Sequence, residues 1–121
     1  MIIGQTVFSV RRGTEHRAEA VLDEVRQRLS GADGLRNQLV LRSFGMSPLA
    51  SDLSQSEQES TLAHVHYVLH TEWDSHAAHD LFYSSEGLRR AYSMLSSILT
   101  TGPYEVLYET LAERRERSVA V

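Results

Sequence analysis

The segment TLAHVHYVLHTEW, residues 61–73, limits what this chain can fold into more than any other stretch. A β-strand turns successive side chains to opposite faces, so Val65, Tyr67, Leu69 and Trp73 share one side and His64, His66, Val68 and His70 the other. The first set demands a core. The second is also too apolar and aromatic for open water, so a sheet built on this strand needs a cover on both sides. Helices of the same chain can supply one cover. A second copy related by a two-fold axis is the natural source of the other, which predicts a homodimer.

The rest of the chain supplies three more strands and the helices. IIGQTVFSV (2–10) is β-branched and apolar and ends at a turn centred on Gly13. Thr14 is placed to cap a helix with Glu15 in its first turn, and Ala18, Val21, Leu22, Val25 and Leu29 recur at helical spacing until Gly31. GADG (31–34) is a loop, and LRNQLVLRSF (35–44) a second strand. SPLASDLSQSEQES (47–60) is Ser-rich and aperiodic, a long hairpin loop before the third strand at 61–73. Asp74 or Ser75 can open a helix through HAAHDLFYS, and Ser84 or Ser85 a further turn and helix through EGLRRAYSMLSSIL. Thr101, Gly102 and Pro103 break it, and YEVLYETL (104–111) is the fourth strand, with Tyr104, Val106 and Tyr108 opposing Leu107 and Leu111. The order β-α-β-β-α-β predicts an α+β, ferredoxin-like domain over residues 1–112, its four-stranded antiparallel sheet carrying the helices on one face and pairing with a second sheet in a dimeric barrel. Residues 113–121 are a charged C-terminal tail.

Composition then removes whole classes of chemistry. At 121 residues, 41 % of them hydrophobic and 23 % charged, the chain suits one soluble domain. Without cysteine there is no disulfide, thiolate nucleophile or iron–sulfur cluster, and without lysine no Schiff base. A net charge of −4, with basic residues scattered, gives no field for nucleic acid. No phosphate-cradling glycine motif, secretory leader or membrane span is present, so no nucleic-acid or membrane partner and a cytoplasmic location are expected.

Five of the six histidines fall within residues 64–80. His64 and His66 form an H-x-H pair, but His70 lies about 13 Å further along the strand, too far to share one ion. No acid appears between the strand histidines to orient a metal ligand, so they are read as packing and hydrogen-bonding groups of the dimer interface, and no metal is assigned to them. His76 and His79, spaced i, i+3 on a helix, could also ligate jointly. Arg89 and Arg90 are adjacent on a helix and are left outside the site.

The strand ending in HTEWDS, the helix HAAHDLFYS, the turn and helix SSEGLRRAY, and YEVLYETL after Gly102 and Pro103 together resemble the antibiotic biosynthesis monooxygenase family. The resemblance runs over residues 1–112 in order and length. It implies a dimeric α/β-barrel and oxidation of a small aromatic, polyketide or quinol substrate by O₂ with no cofactor. It also implies a cavity between sheet and helices, with His79 and Trp73 as catalytic residues and Thr6, Phe8, Tyr67, Leu69, Phe82 and Tyr83 binding the substrate. His79 would be the base or proton relay, since histidine titrates near neutrality. Phe82 stands where many relatives carry a histidine. Thr6, Phe82 and Tyr92 stand where the haem-degrading branch of the superfamily needs Asn, Trp and His, so haem cleavage is not expected. The alternative is a non-catalytic dimeric module of the same fold that binds a small molecule.

Overall fold

A computed structural model describes residues 1–45 and 63–114. The expected loop at 47–60, the first two residues of the expected third strand and the tail from residue 115 lie outside the described residues. The elements are β1 (Ile2–Arg11), α1 (Glu15–Leu29), β2 (Leu35–Arg42), β3 (His64–Trp73), α2 (His76–Tyr83), α3 (Glu86–Ser93) and β4 (Leu99–Glu109). They form one antiparallel sheet in the order β2-β3-β1-β4 with the helices on one side, the ferredoxin-like arrangement with its second helix divided at Ser84 and Ser85.

Strand alternation decides the core. Along β3 every residue from Val65 to Trp73 at odd number is buried and every one at even number is partly exposed. In the β1–β3 register Phe8 faces Tyr67, Thr6 faces Leu69 and Ile2 faces Trp73. The buried residues of α1 are Ala18, Val21, Leu22, Val25 and Leu29, the stripe its spacing predicts, and Leu88, Ala91, Leu95 and Ile98 complete the core. Thr14 precedes α1 without capping it, because its hydroxyl donates to the Arg11 carbonyl instead. Past α3 the chain tightens into successive turns closed by i→i−3 bonds, among them Leu95 N to Tyr92 O and Ile98 N to Leu95 O, where the sequence suggested continuing helix.

The fourth strand departs most from expectation. It begins at Leu99, not Tyr104, runs through Gly102 and Pro103, and stops at Glu109, leaving Leu111 outside. Proline is tolerated because β4 is an edge strand, and the register with β1 shifts between Val7 and Val10. Gly102 has φ +78°, and a Cβ there would lie 2.5 Å from the Val7 carbonyl oxygen, so only glycine fits this turn of the strand.

The other face of the sheet carries no element among the described residues. Leu39 and Leu41 of β2 and Tyr104, Val106 and Tyr108 of β4 are exposed, and Val68 of β3 is half-buried.

Candidate functional site

Trp73 ends β3, and two residues later Ser75 starts α2. Ser75 is extended (φ −152°, ψ 159°), and its hydroxyl accepts from the Ala78 N–H at 3.1 Å, a working N-cap. The cap sets the rotation of α2. His79, Phe82 and Tyr83, at i, i+3 and i+4, thereby turn inward over Trp73. The Trp73 ring lies 5.8 Å from His79 edge-on, 5.8 Å from Phe82 and 6.2 Å from Tyr83, while His79 and Tyr83 stack at 4.3 Å. The indole N–H donates to Thr71 Oγ1 at 2.8 Å, and Thr71 donates on to the Gly4 carbonyl at 3.3 Å.

His79 is buried and bridges two carboxylates. Nε2 lies 2.7 Å from Glu105 Oε1 and Nδ1 lies 3.1 Å from Asp80 Oδ1. Glu105 is largely covered, whereas Asp80 is open to solvent. A proton on either ring nitrogen therefore finds an acceptor, one inside and one outside.

The second oxygen of Glu105 is buried and has no hydrogen-bond partner, and the same holds for Thr6 Oγ1 and the hydroxyls of Tyr83 and Tyr92. Burial first, then the Glu105 carboxylate and Tyr92, push the Tyr83 phenol upward from its ordinary value, with Thr6 and Thr71 opposing. Burial likewise raises Tyr92 to about 12, with Thr6 opposing and Glu105 reinforcing. Thr6 lies close enough to both phenols, and Thr71 to Tyr83, to oppose that rise, although none of these hydroxyl pairs meets full hydrogen-bond geometry. Gly4 makes the arrangement possible, since a Cβ there would lie 2.5 Å from Glu105 Oε2 and 3.1 Å from Thr71 Oγ1.

Of the residues expected from sequence, Trp73, His79, Phe82 and Tyr83 thus form one cluster, and Thr6 stands beside it opposite Glu105 in the β1–β4 register. Leu69 is fully buried between Thr6 and Val40. Phe8 and Tyr67 lie elsewhere, stacked on each other at 5.3 Å, with the Tyr67 hydroxyl donating to Glu19 of α1 at 2.8 Å. Six residues of strand, roughly 20 Å, separate Tyr67 from Trp73. Sequence reasoning missed Glu105, Tyr92, Thr71 and Gly4. One signal was available for Glu105: alternation in YEVLYETL puts this acid on the Leu107 side, opposite Tyr104, Val106 and Tyr108.

The strand histidines lie on the open face. His66 Nδ1 meets the Ser9 hydroxyl, and His70 sits between Gln5 Nε2 at 3.2 Å and Glu72 Oε2 at 2.9 Å. No acid lies between the strand histidines, but one follows directly beyond them. Glu72, two residues on from His70, shares its face of the strand, and Asn37 also donates to it. Among the described residues, the one group of three metal-ligating side chains with ligand atoms all within 4.8 Å of one another is His76, His79 and Asp80. No helix among these residues is long and apolar enough to cross a membrane.

No protein-family model and no curated protein matches the chain. Solved structures do. A Deinococcus radiodurans protein assigned to the antibiotic biosynthesis monooxygenases superposes with a TM-score of 0.68 at 17% identity, covering 98% of this chain and 100% of the other. A Bordetella bronchiseptica protein with the same assignment gives 0.62 at 17%, covering 92% and 97%. SnoaB, a cofactor-independent oxygenase from Streptomyces nogalater, gives 0.60 at 11%, covering 95% and 98%. The chain has the fold of the antibiotic biosynthesis monooxygenases.

Proposed function

We propose that the protein is a cofactor-independent monooxygenase of a small aromatic, polyketide or quinol substrate, working as a homodimer. The carrying observation is the Glu105–His79–Asp80 array, buried at His79, largely covered at Glu105 and open at Asp80, whose inner carboxylate oxygen is unpartnered, as are the Thr6, Tyr83 and Tyr92 hydroxyls that share its surroundings. Unpartnered buried polar groups are costly, and an enclosed substrate with hydroxyl and carbonyl groups relieves that cost.

The chemistry asks little of the protein. Glu105 takes a proton from an activated methylene of an anthrone-type ring and passes it through His79 to Asp80 and solvent. The carbanion, delocalised onto the ring oxygen, gives electrons to O₂ and forms one C–O bond. Tyr83, Tyr92 and Thr6 donate to the developing oxyanion. The peroxide takes a proton and loses water to leave a carbonyl, so one oxygen atom stays on the substrate and the other leaves as water. Phe82 and Trp73 supply apolar walls that keep the carbanion from bulk water.

The exposed apolar face built by Leu39, Leu41, Tyr104, Val106 and Tyr108 supports the dimer, since a monomer would leave it in water. Oxygen uptake against anthrones and hydroquinones, with product analysis, tests the reading. One O₂ consumed per substrate, with Glu105→Gln and His79→Ala each slowed about 10²–10⁴-fold, is the expected result. Uptake indifferent to both variants would remove the array from the mechanism.

The close packing of Trp73 against Phe82, His79 and Tyr83 favours a second reading, a binding module without turnover. Trp73 is the chain's single tryptophan and reports directly. Quenching of its fluorescence by aromatic ligands with no O₂ uptake would select the module.

A further inference from the structure

We propose that His76, His79 and Asp80 form a binding site for a divalent cation of the zinc class, entered from solvent along the outer side of α2. The three residues come from one helical turn at i, i+3 and i+4, so their side chains leave α2 together. Asp80 Oδ1 lies 3.1 Å from His79 Nδ1 and 3.3 Å from His76 Nε2. Bonds of about 2.0–2.1 Å around a tetrahedral ion hold neighbouring ligand atoms roughly 3.3 Å apart, which the two spacings to Asp80 match, and all three ligand atoms lie within 4.8 Å of one another.

The decisive feature lies behind the ligands. A metal-binding imidazole needs its second nitrogen held by an acceptor, which fixes the tautomer and the ring. His79 has that partner in Glu105 at 2.7 Å, and its buried ring is wedged between Trp73 and Tyr83. A proton on Nε2 toward Glu105 leaves the Nδ1 lone pair pointing at Asp80. His76 and Asp80 are exposed, so an ion can enter and keep water in its remaining position. Two imidazoles and one carboxylate suit zinc, cobalt or nickel, not the oxygen-seeking calcium or magnesium. His66 and His70 make no such set, being bonded to Ser9 and to Gln5 and Glu72.

One consequence rests on the proposed oxygenase reading. An ion on Nδ1 closes the outward leg of the relay and inhibits turnover, whereas the binding itself is independent of any reaction.

The test is titration of the untagged, full-length chain with Co²⁺, read by its visible absorption, and with Zn²⁺ in competition against a chromophoric chelator. One ion per chain is expected. His76→Ala and Asp80→Asn, both at exposed positions, should each weaken binding at least tenfold, and Glu105→Gln by about 10–100-fold. A His66→Gln, His70→Gln double variant should bind as the parent does. Binding unchanged in His76→Ala, binding lost in the strand double variant, or no uptake at millimolar ion would each overturn the site. Inhibition by Zn²⁺ is measured separately: a bound ion with undiminished turnover would refute the relay while leaving the site in place.

Discussion

The two ends of the helix-covered sheet face use similar residues to opposite effect. At one end Tyr67 of β3 stacks on Phe8 and donates to Glu19, which also accepts from Arg42 at 2.8 Å. At the other end Tyr83 and Tyr92 reach toward Glu105 and Thr6, and their hydroxyls have no partner. Each end pairs a buried phenol with a carboxylate. The first is satisfied and its carboxylate reaches solvent, as structural polar groups are; the second keeps hydrogen-bonding capacity unspent, as a site for a ligand must. Between these two ends, polar satisfaction differs more than residue type does.

Substitution can break that contrast. The largest effect belongs to Gly4→Ala, whose methyl would lie 2.5 Å from Glu105 Oε2 and push the carboxylate aside. Catalysis on an accepted substrate should fall about 10²-fold or more, as misplacement of a reacting group does. A fully active Gly4→Ala protein would show that Glu105 needs no such seat.

Next comes stability. Tyr67→Phe removes a made hydrogen bond to a carboxylate and should cost about 1–2 kcal/mol in chemical denaturation without touching ligand binding. Tyr83→Phe removes a hydroxyl that meets no hydrogen-bond geometry, though Thr6 and Thr71 lie near enough to act on it, so stability should change by less than about 1 kcal/mol while ligand affinity falls. Equal losses in the two variants would erase the distinction between the ends.

A further effect is a pH dependence shared by both. Burial is the leading cause that raises Tyr67, Tyr83 and Tyr92 above the ordinary 10.0, Tyr92 to about 12. Below pH 10 these tyrosines are protonated whether folded or unfolded, and their contribution is fully present. From pH 10 to 12 the unfolded chain releases their protons and the folded one holds them, so stability declines as pH rises. Denaturation midpoints at pH 9 and pH 11 should differ, and Tyr92→Phe should narrow the difference.

Much of the fold was legible because period and punctuation are local. The stripe from Ala18 to Leu29, the two-face alternation from His64 to Trp73 and the split at Ser84 and Ser85 all read directly from residue order. The start of β4 did not, because Gly102 and Pro103 look like a break unless the strand is known to lie at a sheet edge. In the candidate site, the family resemblance pointed to Trp73, His79, Phe82 and Tyr83, which lie at one strand end and on the helix that follows it. Glu105, Tyr92, Thr71 and Gly4 reach the same place from four different elements or positions, and no spacing in the chain reveals that.

Sequence by itself determined the element order, the buried stripe of α1, the two-face alternation of β3, the apolar character of both sheet faces and the absence of cysteine and lysine chemistry. These follow from side-chain periodicity and composition, which act within a few residues. Only the tertiary structure decided that His79 meets Glu105, 26 residues away, that Gly4 leaves room for that carboxylate, and that Phe8 and Tyr67 belong to the α1 end. Antiparallel register between β1 and its two neighbours makes those decisions, because pairing Thr6 with both Leu69 and Glu105 fixes which distant side chains share the space beneath α2 and α3.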